Sequence, residues 1–183
     1  MPFNIPVLYG TMREGRKSEP AAHLVHAELL KRGHTSMYVA PADLHRSGSI
    51  ERSNPEMWST IMSEADALVV VSPEYNHGYP GALKEMLDSI YKEYFRKPIG
   101  ICGAAGPMGG GRMIEQLRQV AIELHMVPLR EALYFPNVQT MFDEKGQMSE
   151  ENNKAYAPRI EAFMKELEWW TAVCKDGRAN HAF

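Results

Sequence analysis

A doubly wound α/β domain with a parallel sheet is the fold this chain predicts, and three observations carry it. Short apolar runs alternate with amphipathic stretches about five times along the 183 residues. Most of the runs empty into loops rich in glycine, proline or hydroxyl residues before a helical pattern begins. No internal repeat and no low-complexity linker interrupts the sequence, so one domain accounts for a chain of this length.

Strand one is expected over Ile5–Tyr9, followed by a loop from Gly10 to Ser18 and a helix from Glu19 to Arg32 that Gly33 ends. Strand two is Ser36–Val39. The polar segment 40–55 is the best candidate for a mobile loop, and a short helix follows over Glu56–Glu64. Strand three is Ala67–Val71, then come the loop Ser72–Gly81 and a helix from Ala82 that ends near Tyr94. Pro98 introduces strand four, Ile99–Gly103, and a glycine-rich loop to Arg112 leads into a helix over Met113–His125. Strand five is Val127–Leu133. A closing helix is expected from Glu150 to Cys174, where Ile160, Phe163, Met164, Leu167 and Trp170 recur at helical spacing. Trp170, beside Trp169, should pack on the sheet. The expected architecture is flavodoxin-like, three layers α/β/α around five parallel strands in order 2-1-3-4-5, with one domain over 1–174 and a loosely held tail at 175–183. That order reverses between strands one and three, so the loops after them converge on one crevice, with the loop after strand four beside it.

Several function classes fall away. A formal charge of −3 offers no basic footprint for nucleic acid. No apolar run approaches the roughly 20 residues that span a bilayer. The N-terminus has no basic region followed by an apolar stretch and cleavage site, so a cytoplasmic location is the default expectation. Cys102 and Cys174 lack metal or redox-motif spacing and read as reduced structural thiols. His23 and His26 share a helix face without an acidic or cysteine partner at ligand spacing, so no metal is expected. Gly10 and Gly15 open a P-loop pattern, yet position 16 is Arg and strand three ends in Val71-Ser72 with no carboxylate for Mg²⁺. No GxGxxG follows strand one, and no GxSxG nucleophile elbow occurs.

What remains is a set of three loops. Loop one, GTMREGRKS, stands between a strand and a helix N-terminus, where free N–H groups favour an anion; Thr11, Arg13, Arg16 and Ser18 would reinforce a phosphate cradle. Loop three carries Pro73-Glu74-Tyr75-Asn76, then Pro80-Gly81-Ala82-Leu83-Lys84. Loop four carries Gly103, Gly106, Gly109 and Gly110, and glycines let backbone approach a flat ring closely. The PEYN and PGxLK strings resemble the flavin-ring loop of the NAD(P)H-dependent FMN reductase family. Loop one resembles that family's G-S-x-R element, with Thr11 in place of serine. Gly109–Arg112 with Gln116-Leu117-Arg118 resembles its third element, and the likeness covers roughly residues 4–140.

The resemblance implies that FMN is bound and that NADPH or NADH is the hydride donor. The acceptor would be a small molecule such as a quinone, free flavin, azo compound or metal oxyanion. It implies that the main chain of Glu74, Tyr75 and Asn76 meets the ring edge with Pro73 against the ring, while His77 serves packing or a dimer contact more readily than general acid catalysis. No side-chain acid or base is required, because hydride moves between nicotinamide and flavin. A homodimer or a dimer of dimers is implied. The rival reading is a flavodoxin-type electron carrier without pyridine-nucleotide turnover. The small net charge, and a PEYN loop in place of an aromatic sandwich, weigh against it.

Overall fold

The computed structural model describes residues 1–41 and 55–181. The expected mobile loop, from 42 to 54, lies outside the described residues.

Runs such as residues 68–71 are apolar without interruption, which suits strands buried on both faces. The strands are β1 (Val7–Tyr9), β2 (Tyr38–Val39), β3 (Leu68–Ser72), β4 (Pro98–Ala104) and β5 (Val127–Phe135). All pair in parallel in one sheet of order β2-β1-β3-β4-β5. Val7 lies beside Val69, Val69 beside Gly100, and Cys102 beside Leu133, with a register irregularity between Ile99 and Ile101. Pro98 stands at the first position of β4, where a missing N–H costs the ladder least. Strand five continues two residues past its expected end to Phe135.

The helices are α1 (Glu19–Lys31), α2 (Pro55–Glu64), α3 (Gly81–Asp88), α4 (Gly111–Glu123), the short α5 (Val138–Met141) and α6 (Glu150–Asn180), with a 3-10 turn at Lys92–Tyr94. Val7, Tyr9, Val69 and Val71 share one sheet face with Val25 and Leu29 of α1 and with Phe163, Met164 and Leu167 of α6. Leu8, Leu68 and Val70 point the other way, onto Trp58, Met62, Leu83, Met86 and Leu117 of α2, α3 and α4. The split follows the two-residue period of a strand. Each such side chain, fully buried, contributes about 1.5–3 kcal/mol. Gly100 is the flat spot that admits α6, since a Cβ there would meet the Phe163 ring at 2.5 Å. Trp58 and Tyr94 are both fully buried, and the indole N–H donates to the phenol oxygen at 2.6 Å.

The closing helix corrects one expectation. It does not end at Cys174 but runs to Asn180, and residues 175–180 are tied down. Lys175 pairs with Asp66 at 2.9 Å, and Arg178 donates to the carbonyl oxygens of Arg96 (2.7 Å) and Asp66 (3.3 Å). Asp66 also accepts the Asn4 N–H at 3.0 Å, so a carboxylate placed just before β3 anchors both chain termini. Trp170 packs against the α6 side of the core as expected, whereas Trp169 is exposed. Among the described residues no helix is long and apolar enough to cross a membrane.

Candidate functional site

Because the strands are parallel, the loops after β1, β3, β4 and β5 share one edge of the sheet. They surround a cavity of about 310 Å³. Seven predicted site residues line it: Arg13, Arg16 and Ser18 from loop one, Pro73, Glu74 and Tyr75 from loop three, and Gly106 from loop four. Thr11, Asn76, His77, Gly103, Gly109 and Gly110 do not. Sequence reasoning missed Glu14, Gly15 and Lys17 on loop one, Ala104 at the end of β4 with Ala105 after it, and Val138 with Gln139 after β5. The signal for the last pair was available, since the loop after strand five must open on the same edge as the others.

In loop one the two arginines have different fates. Arg16 is turned inward: its guanidinium pairs with Glu19 at 2.9 Å, lies 5.0 Å over the Tyr9 ring and reaches the Thr11 carbonyl at 3.5 Å. Its hydrogen bond from Arg16, with a second from the Tyr38 hydroxyl at 2.8 Å, holds the Glu19 carboxyl below the usual carboxylate range despite partial burial. Arg13 lines the cavity, is exposed, and has no side-chain partner among the described residues. The Ser18 hydroxyl is 2.6 Å from the Tyr9 hydroxyl, and burial pushes the Tyr9 phenol up to about 12, so both stay neutral at ordinary pH.

Thr11 is buried at 2 % exposure, behind the cavity wall. Its Oγ1 accepts the Arg13 N–H at 3.2 Å and lies 2.9 Å from the Tyr75 hydroxyl. These are its side-chain partners among the described residues. A hydroxyl has one hydrogen, and a buried donor without an acceptor costs about 1–3 kcal/mol. Either hydroxyl can be the donor in that pair, and the arrangement in which Thr11 donates satisfies its hydrogen among the described residues.

Loop three ends in a tight turn. Tyr75 N–H donates to the Gly78 carbonyl at 2.8 Å and Gly78 N–H to the Tyr75 carbonyl at 3.0 Å, with φ +49° at Asn76 and +72° at His77. Two consecutive left-handed residues make this a type I′ geometry. One expectation changes as a result: the Tyr75 main chain is spent on the turn and offers no donor to a ring, while the N–H groups of Glu74, Asn76 and His77 have no acceptor among the described residues. Asn76 and His77 are exposed at the tip. The Glu74 carboxylate turns away to the start of α4, and Pro73 is a buried part of the cavity wall.

Loop four uses its glycines on itself. A Cβ at Gly103 would stand 2.2 Å from the Gly109 carbonyl oxygen and 3.0 Å from the Gly110 Cα. The loop folds back onto the end of β4 at that contact, which leaves Gly106 exposed at the cavity. The two helix-one histidines are likewise accounted for locally, His23 stacked 4.7 Å from Tyr38 and His26 Nε2 3.1 Å from the Ser36 carbonyl oxygen.

The model of the NADPH-dependent FMN reductase family matches residues 3–140, which include β1 to β5 and every loop at this edge. The chain belongs to that family. A stretch of 86 residues is 36% identical to the NAD(P)H-dependent FMN reductase LOT6 of Saccharomyces cerevisiae, covering 47% of this chain and 44% of that one. The match thus spans less than half the length of that FMN reductase. A quinone reductase of Pseudomonas putida aligns over 93% of this chain and 96% of its own, at 24% identity. Among solved structures, the flavoenzyme NAD(P)H:(acceptor) oxidoreductase FerB of Paracoccus denitrificans superposes with a TM-score of 0.73 at 18% identity, covering 91% of this chain and 97% of that chain, so the two share a fold.

Proposed function

We propose that the protein binds FMN in the cavity, takes hydride from NADPH or NADH, and passes electrons to a small-molecule acceptor such as a quinone, free flavin, azo compound or metal oxyanion. The observation that carries this reading is the set of uncommitted donors on loops one and three: the Arg13 guanidinium at the cavity, and the main-chain N–H groups of Glu74 and Asn76. They suit the cofactor, because a phosphate is held by a cation and N–H groups, and a flavin edge by neutral donors. When bound, FMN supplies the redox chemistry by accepting hydride at N5. Arg13 would hold its phosphate, Pro73 would wall the ring, and Glu74 would offer its N–H to the ring edge. Arg16 and Ser18, engaged with Glu19 and Tyr9, shape loop one. No side chain needs to move a proton in the hydride step.

The relatives named as FMN reductase and quinone reductase support this reading, and extending those activities to this chain is part of the proposal. A flavodoxin-type electron carrier shares the sheet order. The turned-in Tyr75, with its hydroxyl on Thr11, favours the reductase over a carrier that stacks an aromatic on the ring. We include a homodimer or dimer of dimers, for which sedimentation should give at least twice the 20.7 kDa chain mass. The central test is fluorescence titration with FMN, then anaerobic addition of NADPH and of NADH. Saturable binding and bleaching of the yellow colour are expected. Binding without bleaching would move the assignment to the carrier.

A further inference from the structure

Tyr75 lines the cavity, and with its backbone donor and acceptor both used in the turn with Gly78 the phenol is its remaining polar group. Behind that phenol stands a short chain of donors. The Arg13 N–H fills one lone pair of Thr11 Oγ1 at 3.2 Å, and the arrangement that satisfies the buried Thr11 hydroxyl sends its single hydrogen to the Tyr75 oxygen, 2.9 Å away. Thr11 is buried and does not line the cavity, whereas Tyr75 does. With Thr11 as donor the polarity of the chain runs outward, and the phenolic hydrogen of Tyr75 is the one left over. Water can take it in the free protein.

We infer that the Tyr75 phenol donates to a phosphate oxygen of the bound flavin nucleotide, with Thr11 as the positioning residue that turns its hydrogen toward the cavity. The inference rests on the FMN reading above. It reassigns the two hydroxyls: the threonine of the GTMR loop acts through a neighbour, and the tyrosine of the PEYN loop touches the ligand. Three features favour phosphate as the acceptor. Loop one supplies both the backbone N–H that starts the chain and the unpartnered Arg13 guanidinium at the same cavity. A phosphate oxygen is a charged acceptor, to which an O–H donates more strongly than to a neutral oxygen. A phenol that itself accepts a hydrogen bond is polarised into a better donor. The arrangement also makes the flavin-ring loop sensitive to the phosphate, because one side chain belongs to both.

The test compares FMN with riboflavin, which lacks the phosphate, by fluorescence titration at fixed salt for the wild type, Tyr75→Phe, Thr11→Val and Thr11→Ser. Thermal melting of the apoproteins checks the fold, and the ³¹P shift of bound FMN is recorded for each. Tyr75→Phe should weaken FMN about tenfold, the scale of one hydrogen bond to a charged group, and leave riboflavin within about twofold. Thr11→Val should reproduce part of that loss, Thr11→Ser should restore it, and the ³¹P shift should move in Tyr75→Phe. Should Tyr75→Phe melt before it can be titrated, the Thr11 pair reads the same chain. Equal losses for FMN and riboflavin in Tyr75→Phe would make the phenol a packing group and overturn the inference. So would a selective FMN loss in Thr11→Val with Tyr75→Phe unchanged, which would make Thr11 the donor. Wild-type protein without saturable FMN binding would overturn the underlying FMN reading, a result visible before any variant is compared.

Discussion

The Glu74 carboxylate closes the first turn of α4 by binding Arg112 twice. One oxygen accepts the backbone N–H groups of Arg112 and Met113 at 3.2 and 3.4 Å, and the other accepts the Arg112 guanidinium at 3.1 Å. The helix has only glycine at its own N-cap, so the cap arrives from the neighbouring loop. Loops three and four are thereby fixed to each other at the edge where the cavity opens.

Replacing that carboxylate should loosen both loops together. For Glu74→Ala we expect a loss of about 1–2 kcal/mol in folding stability, the usual scale for a lost cap. Both FMN and riboflavin should lose affinity, FMN the more, because the loosened loop carries the ring contacts and the Tyr75 phenol. Urea denaturation and paired titrations check this. An unchanged stability would show that the cap is not formed in solution.

The tip of loop three contains a backbone cost that can be removed. His77 sits at φ +72°, where a side chain is disfavoured by about 1–2 kcal/mol. His77→Gly creates the Asn-Gly pair that type I′ turns prefer, and should raise the melting temperature. Asn76→Val, a β-branched residue at φ +49°, should lower it. Melting curves on the three proteins decide the point.

The two arginines of loop one should separate cleanly. Arg13→Ala should weaken FMN by about ten- to hundredfold with little effect on riboflavin, since a charge-assisted bond to the phosphate is lost. Arg16→Ala strips the partner from Glu19 and the cover from the Tyr9 ring, so it should lower stability and weaken both ligands. Titration and melting of each variant provide the readout. If Arg16→Ala alone selected against FMN, Arg16 and not Arg13 would be the phosphate ligand.

Lys97 carries a pH signature. Burial, reinforced by the nearby Arg178 charge, pulls its ammonium down to about 8 while Nζ donates to the carbonyl oxygens of Met62 and Ser63. The ordinary lysine value is about 10.4, so between pH 8 and 10 the unfolded chain binds more protons than the folded one. Stability contributed through this group therefore rises with pH across that window, by at most about 1.4 kcal/mol per unit, and the charged form opposes folding below it. Denaturation midpoints from pH 7 to 10 should climb in the wild type and flatten in Lys97→Met.

The strand order and the meeting of loops one, three and four could be read from the sequence, because alternating apolar runs set the sheet and a parallel sheet places its loops on one edge. The partner of each polar group could not. Arg13 and Arg16 are equivalent as letters, and only packing shows that Arg16 faces Glu19 and Tyr9. Asn76-His77 lacks the glycine that usually marks a type I′ turn, so the use of the Tyr75 amide stayed hidden. The glycines of loop four read as room for a ring, yet three of them serve the contact between Gly103 and Gly109–Gly110. The anchoring of residues 175–180 depends on Asp66, 109 positions before Lys175, a separation that no local pattern records.

That last contact has a consequence for synthesis. Translation proceeds N-terminus first, so β3 and β4 leave the ribosome long before Lys175 and Arg178 exist to neutralise Asp66 and bond the Arg96 carbonyl. Until then the carboxylate before the central strand has the Asn4 N–H but neither Lys175 nor Arg178, and the loop closed by the Lys175 contact spans 109 positions. Completion of the fold therefore waits until residues 175–178 have emerged. A truncation after Cys174 would remove little mass but take both basic residues from Asp66 at once.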